Sequence, residues 1–212
     1  MPDAQMIAFW QIRMCASRVT LSLMFLLTAA PAFAQQGSSP PVPAKPGEES
    51  ALCKPESLPQ DVQSRLKTEF GSWKVQEPAA LSPRAHERWE SEKPLACPGI
   101  AVGQFEIAKM PSYAVLLVPQ SHTVAGYKFL VFSPRAGQPS YEMRVADSGD
   151  SGADNFFIHT TPISKFFDEP SRKKFQAHTV DGILLVDSAE NEYGVEVYFW
   201  SSGHYRYEPI DY

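Results

Sequence analysis

From Cys97 onward the chain is a succession of short β-branched and aromatic runs, and no other feature narrows the available folds as much. The runs are Ile100 to Phe105, Tyr113 to Val118, Tyr127 to Phe132 and Tyr141 to Val145. Turn-forming clusters separate them: Lys109-Met110-Pro111, Pro119-Gln120-Ser121 and Ser133-Pro134-Arg135-Ala136-Gly137. Parallel pairing needs a crossover of about a dozen residues or more, and these links are shorter, so the spacing predicts antiparallel hairpins. The stretch Tyr113-Ala114-Val115-Leu116-Leu117-Val118 is apolar throughout, which predicts a central strand covered on both faces. Phe156 to His159 and Ile183 to Val186 read as further strands. The chain closes with Gly194 to Trp200, then Ser201-Ser202-Gly203, then His204 to Glu208, a hairpin by alternation and by its glycine turn. In its second arm Tyr205 and Tyr207 share one face, while His204, Arg206 and Glu208 share the other.

The clearest helix signals precede these strands, and Pro162 to Lys174 reads as a mixed stretch of one helical turn and a surface loop carrying Arg172-Lys173-Lys174. Leu58, Val62, Leu66 and Phe70 recur at steps of four and form one apolar stripe, with Pro59 suited to the first turn. A second helix is predicted from Ser82-Pro83 through Trp89, with Ser82 as its N-cap. The 19 prolines argue against an all-helical protein. The expected fold class is therefore α+β, with an N-terminal helix packed on a meandering antiparallel β-sheet.

The N-terminal segment reads as an address. Arg13 and Arg18 precede the apolar run Val19 to Leu27, and small residues ending in Ala32-Phe33-Ala34 follow it. A positive region, a short apolar core and an A-x-A site together make a secretory signal peptide over residues 1–34. The apolar core is shorter than the roughly 20 residues a membrane span requires. Met14, just before Arg18, is an alternative start to Met1 that gives a more compact signal. Residues 35–50 are rich in Pro, Gly and Ser, with Val42 as the one large apolar side chain, and read as a disordered linker. Residues 51–212 are then a single domain. Cleavage near Ala34 would deliver it to the periplasm or the exterior, with no membrane span in the mature chain.

Of 3 cysteines, Cys15 leaves with the signal. Cys53 and Cys97 remain as an even pair in an oxidising compartment, without C-x-x-C spacing or a flanking ligand cluster. They are expected to form a disulfide. Closing a loop of roughly 45 residues contributes about 4 kcal/mol in the chain-entropy account.

The search for chemistry mostly excludes. A net charge of -5 does not suit nucleic-acid binding, which needs a basic face. There is no G-x-S-x-G, S-x-x-K or H-E-x-x-H, and no glycine-rich phosphate loop. The 5 histidines, His86, His122, His159, His178 and His204, are dispersed. His159, His178 and Asp181 are the set from which an enzyme site could assemble if their strands are neighbours. Asp147, Asp150 and Asp154 fall in one glycine-containing stretch with the flavour of a calcium loop, although it lacks EF-hand order. Asp187, Glu190 and Glu192 read as a charged turn. Tyr205 and Tyr207 are candidates for a contact patch, and no cofactor is implied.

The segment Cys97-Pro98-Gly99-Ile100-Ala101-Val102-Gly103-Gln104-Phe105, followed by Tyr113-Ala114-Val115-Leu116-Leu117, resembles a stretch of small bacterial secreted proteins with degenerate FG-GAP or VCBS-type repeats. Asp181-Gly182-Ile183, Val197 to Trp200 and Gly203-His204-Tyr205 resemble that group's closing hairpin. The resemblance implies secretion and no particular activity. Where such repeats carry an acidic loop, this chain has Glu106-Ile107-Ala108-Lys109-Met110. The resulting expectation is a non-catalytic binding module that contacts a protein or an envelope component. The alternatives are a hydrolase assembled from dispersed His and Asp residues, or a calcium-stabilised module.

Overall fold

The computed structural model describes residues 53–92, 97–121, 125–150, 152–175, 179–189 and 194–210. The signal peptide, the linker and His178 lie outside the described residues. Two antiparallel sheets and three short helices make up the described chain, which is α+β in the broad sense.

Strands β1 (Trp73–Val75), β2 (Ile100–Gly103), β3 (Ser112–Pro119), β4 (Tyr127–Pro134) and β5 (Tyr141–Gly149) form the first sheet. Its order is β1-β3-β4-β5, with β2 pairing the other half of the same β3 edge that β1 occupies. Strands β6 (Phe156–Pro162), β7 (Asp181–Asp187), β8 (Gly194–Ser201) and β9 (His204–Pro209) follow one another in the second sheet. The last turn has Ser202 at φ 50° and Gly203 at φ 88°, the doubly left-handed pattern whose twist matches a two-residue hairpin.

The sequence predicts one sheet, and two are found because the central strands β3, β4 and β7 each supply two apolar faces. On the facing sides, Ala114, Leu116, Phe129 and Val131 of the first sheet meet Ile158, Ile183, Leu185 and Tyr198 of the second. The outer face of the first sheet, with Val115, Leu117, Leu130 and Phe132, is covered by Val62 and Leu66 of helix α1 (Gln60–Glu69). The outer face of the second, with Leu184, Val186, Val197 and Phe199, is covered by Ala85 and Trp89 of helix α2 (Pro83–Ser91). Ser82 caps α2 by accepting the Ala85 N–H. The short helix α3 (Glu169–Phe175) follows a turn whose Ile163 and Phe167 join the second outer cluster. Four layers result, helix on sheet on sheet on helix. This explains why β3, β4 and β7 are apolar on both faces.

Cys53 and Cys97 are bonded, with both residues buried among Val62, Leu66 and Ile100. Close to them the segment leaving β1 and the segment entering β2 meet at a crossing on the β3 edge. Gln76 N–H donates to Leu116 O, and Leu116 N–H donates to Gly99 O. A Cβ at Gly99 would stand 2.5 Å from Gln76 O and 2.7 Å from Gln76 N, both backbone atoms held by that pairing. Gly99→Ala is therefore expected to cost about 2 kcal/mol or more by overpacking. A urea melt checks this, and an unchanged midpoint would show that the crossing yields easily.

Candidate functional site

Among the described residues, the sequence-nominated His159 and Asp181 engage separate partners, while His122, His178, Glu190 and Glu192 lie outside those residues. His159 lies on the outer face of β6, where Nε2 is 3.1 Å from Glu92 Oε2. Glu92 also pairs with Arg88 Nε at 3.0 Å. Burial pushes the Glu92 carboxyl up, but hydrogen bonds from His159 and Arg88 and their charges outweigh it and hold the group below its ordinary range. Asp181 is engaged elsewhere, its Oδ2 accepting the Gln104 N–H at 2.8 Å. These contacts tie the end of α2 and the end of β2 to the second sheet.

The stretch from Asp147 to Asp154 is not one loop. Strand β5 runs on to Gly149, which places Asp147 in the sheet, Asp150 just beyond it, and Asp154 in a turn of 3-10 helix. Among the described residues no group of three His, Cys, Asp or Glu is placed to share a metal ion. Tyr205 packs inward against Trp200 with ring centroids 5.2 Å apart, and its hydroxyl is buried. Tyr207 remains exposed at 56%.

A different set does converge. At one end of the sandwich, between the two sheets, a cavity of about 250 Å³ is lined by Tyr127, Asp147, Phe156, Leu185, Asp187, Gly194, Glu196, Tyr198 and Tyr207. Strand parity accounts for most of them. Leu185 and Asp187 alternate inward on β7, Gly194, Glu196 and Tyr198 on β8, and Tyr207 on β9.

Asp147 is the exception, and its orientation has a specific cause. Tyr141, Met143 and Val145 share its parity on β5, and Tyr141 and Met143 pack on the outer face. An uninterrupted strand would turn Asp147 outward with them. The register shifts between Phe129 and Leu130: Leu130 opposes Val145, while Phe129 opposes Asp147. Ala146 is the extra residue of a β-bulge, and one extra residue reverses the parity of everything after it. Gly149 then falls opposite Tyr127, where a Cβ would stand 2.5 Å from the ring, so only glycine lets the tyrosine lie flat there. At the other edge, Gln76 Nε2 donates to Phe156 O and Ala153 O and holds the start of β6.

The polar groups of the cavity touch one another across the gap between the sheets. Tyr127 donates its hydroxyl to Asp147 Oδ2 at 2.7 Å. The Tyr198 hydroxyl lies 3.0 Å from the same Asp147 oxygen and 2.9 Å from Glu196 Oε2. Burial pushes the Glu196 carboxyl above its ordinary range; the Tyr198 hydroxyl opposes this, and the charges of Asp147 and Asp187 add to it. Burial and the neighbouring carboxylates likewise raise both Tyr127 and Tyr198, which stay neutral hydroxyls. Tyr207 closes one side, its ring 5.5 Å from that of Tyr198. No Lys, Arg or His is among the lining residues.

Two other places hold clustered side chains. A groove of about 520 Å³ between α1 and β1 is lined by Leu66, Phe70, Trp73, Lys74 and Gln120 among others, but its polar side chains are exposed or half-buried and do not converge. Elsewhere on β5, Arg144 Nε pairs with the buried Glu106 carboxylate at 3.2 Å, and its guanidinium lies 4.3 Å from the Trp200 ring centre. That contact reads as a clamp between the sheets.

No helix among the described residues is long and apolar enough to cross a membrane. No family model, curated protein or solved structure matches the chain.

Proposed function

We propose that this chain is an exported, non-catalytic binding module of the periplasm or cell exterior, and that the cavity between its sheets receives a cationic group from a protein or envelope component. The observation that carries the reading is the lining itself: Asp147, Asp187 and Glu196 beside the rings of Tyr127, Tyr198 and Tyr207, with no cation among the described lining residues. Carboxylates and aromatic faces both attract an ammonium or guanidinium group, the first by charge and the second by the ring quadrupole. The volume admits the end of a lysine or arginine side chain and little more. The Cys53–Cys97 disulfide and the resemblance to small secreted proteins support an oxidising destination.

Titration with ethylguanidinium, followed by the NMR shifts of the cavity tyrosines, tests the reading. Binding is expected to weaken about tenfold for each carboxylate neutralised, as in Asp147→Asn and Asp187→Asn, and to fall with added salt. Equal binding of an anion, or undiminished binding in the double variant, would refute it.

A further inference from the structure

The hydrogen-bond inventory of the cavity is one proton short. A tyrosine hydroxyl has one hydrogen to donate and lone pairs to accept with. Tyr198 sits within hydrogen-bond distance of two carboxyl oxygens at once, Asp147 Oδ2 and Glu196 Oε2. If both carboxyls are ionised, one of those contacts sets lone pair against lone pair. A proton on one carboxyl removes the conflict. Asp147 Oδ2 also accepts the hydroxyl of Tyr127, so two donors converge on it, the arrangement that suits an ionised carboxylate.

We infer that Glu196 is the proton holder: its carboxyl donates to the Tyr198 oxygen, and Tyr198 in turn donates to Asp147, in a one-way chain that links β8 to β5 across the two sheets. The groups facing Glu196 leave a further negative charge uncompensated. Among the described residues they are Tyr127 from β4, Asp147 from β5, Asp187 from β7, Tyr198 on its own strand and Tyr207 from β9, while β6 contributes Phe156. Burial and the two neighbouring carboxylates raise the acidity range of Glu196 accordingly. The cavity is then a pH-sensitive device. With the proton, the chain is complete and the sheets are tied. Without it, Tyr198 can serve only one carboxylate, and the cavity gains one negative charge. The consequence for ligand capture rests on the cation-binding reading above, but the protonation does not.

The sign of the stability effect follows from linkage. A carboxyl that holds its proton more tightly folded than unfolded stabilises the fold fully below the unfolded value of about 4.3. That contribution is lost as pH rises through the higher folded value. Glu92 works in the opposite sense, so wild-type melts alone would mix the two. The deciding measurement is the carboxyl 13C titration of Glu196 in the ligand-free protein, assigned with Glu196→Gln. The expected midpoint lies above the ordinary glutamate value. A midpoint at or below it overturns the inference, whether or not ethylguanidinium binds. Failure of that cation to bind at any pH would refute the binding reading and leave the midpoint as evidence for the proton. In urea melts, the drop in stability through that midpoint should disappear in Glu196→Gln, whose amide can donate to Tyr198 at every pH. A variant that keeps the same drop would also overturn it. Should the variant not fold, the wild-type 13C midpoint decides alone.

Discussion

Phe129→Ala is expected to remove about 3–5 kcal/mol of folding free energy. Phe129 is fully buried between the sheets, and its ring meets that of Tyr198 edge to face with centroids 5.0 Å apart. The loss combines the transfer energy of the ring with the cavity it leaves, and sheets tied from both sides have little freedom to collapse into that space. The variant should also disturb the acid–tyrosine cavity, because Phe129 pairs with Asp147 in the ladder and supports Tyr198 from the core side. Urea denaturation gives the energy, and the NMR shifts of Tyr198 and Tyr207 report the disturbance. A loss below about 1 kcal/mol would show that the two sheets do not depend on this contact.

Replacing Cys53 and Cys97 together by alanine is expected to cost about 4 kcal/mol, from the loop entropy restored to the unfolded chain. The sequence separation is 44, and the loop contains α1, β1 and α2. One cross-link therefore restrains the coverings of both outer faces. Against a typical total of about 5–15 kcal/mol this is a large fraction, and the melting temperature should fall on the order of 10 °C. Melts of the wild type with and without reductant check the same quantity without mutation. Agreement between reduction and double substitution would assign the effect to the cross-link. A drop seen only in the substituted protein would assign it to packing of the buried sulfurs.

The strands were legible because their residues leave little choice. The apolar run of β3 announced cover on both sides, and Ser82-Pro83 announced the start of α2. The number of sheets was not legible, since short antiparallel hairpins read the same whether they extend one sheet or begin another. The cavity was hidden for three separate physical reasons. Asp147 stands in a polar, glycine-bearing stretch that looks like a loop, and its direction depends on a bulge that no local propensity reveals. Asp187 follows an apolar strand and resembles the first residue of a charged turn. Glu196 alternates with Val195, Val197 and Phe199, so it reads as the solvent face of a half-buried strand. One signal was present and could have been used: Glu196 shares its face with Tyr198 and Trp200, which is an odd composition for a face turned to water.

Ala146 carries almost no chemistry, yet the inward carboxylate of β5 depends on it. A lineage that dropped this one alanine could preserve every acidic and aromatic residue of the cavity and still lose the arrangement, because Asp147 would swing to the opposite side of its strand. For this protein, inheritance of the cavity is as much a matter of counting as of identity. Any relative that arises should be judged by the spacing between Tyr141 and Gly149 before its aspartate is credited with a role.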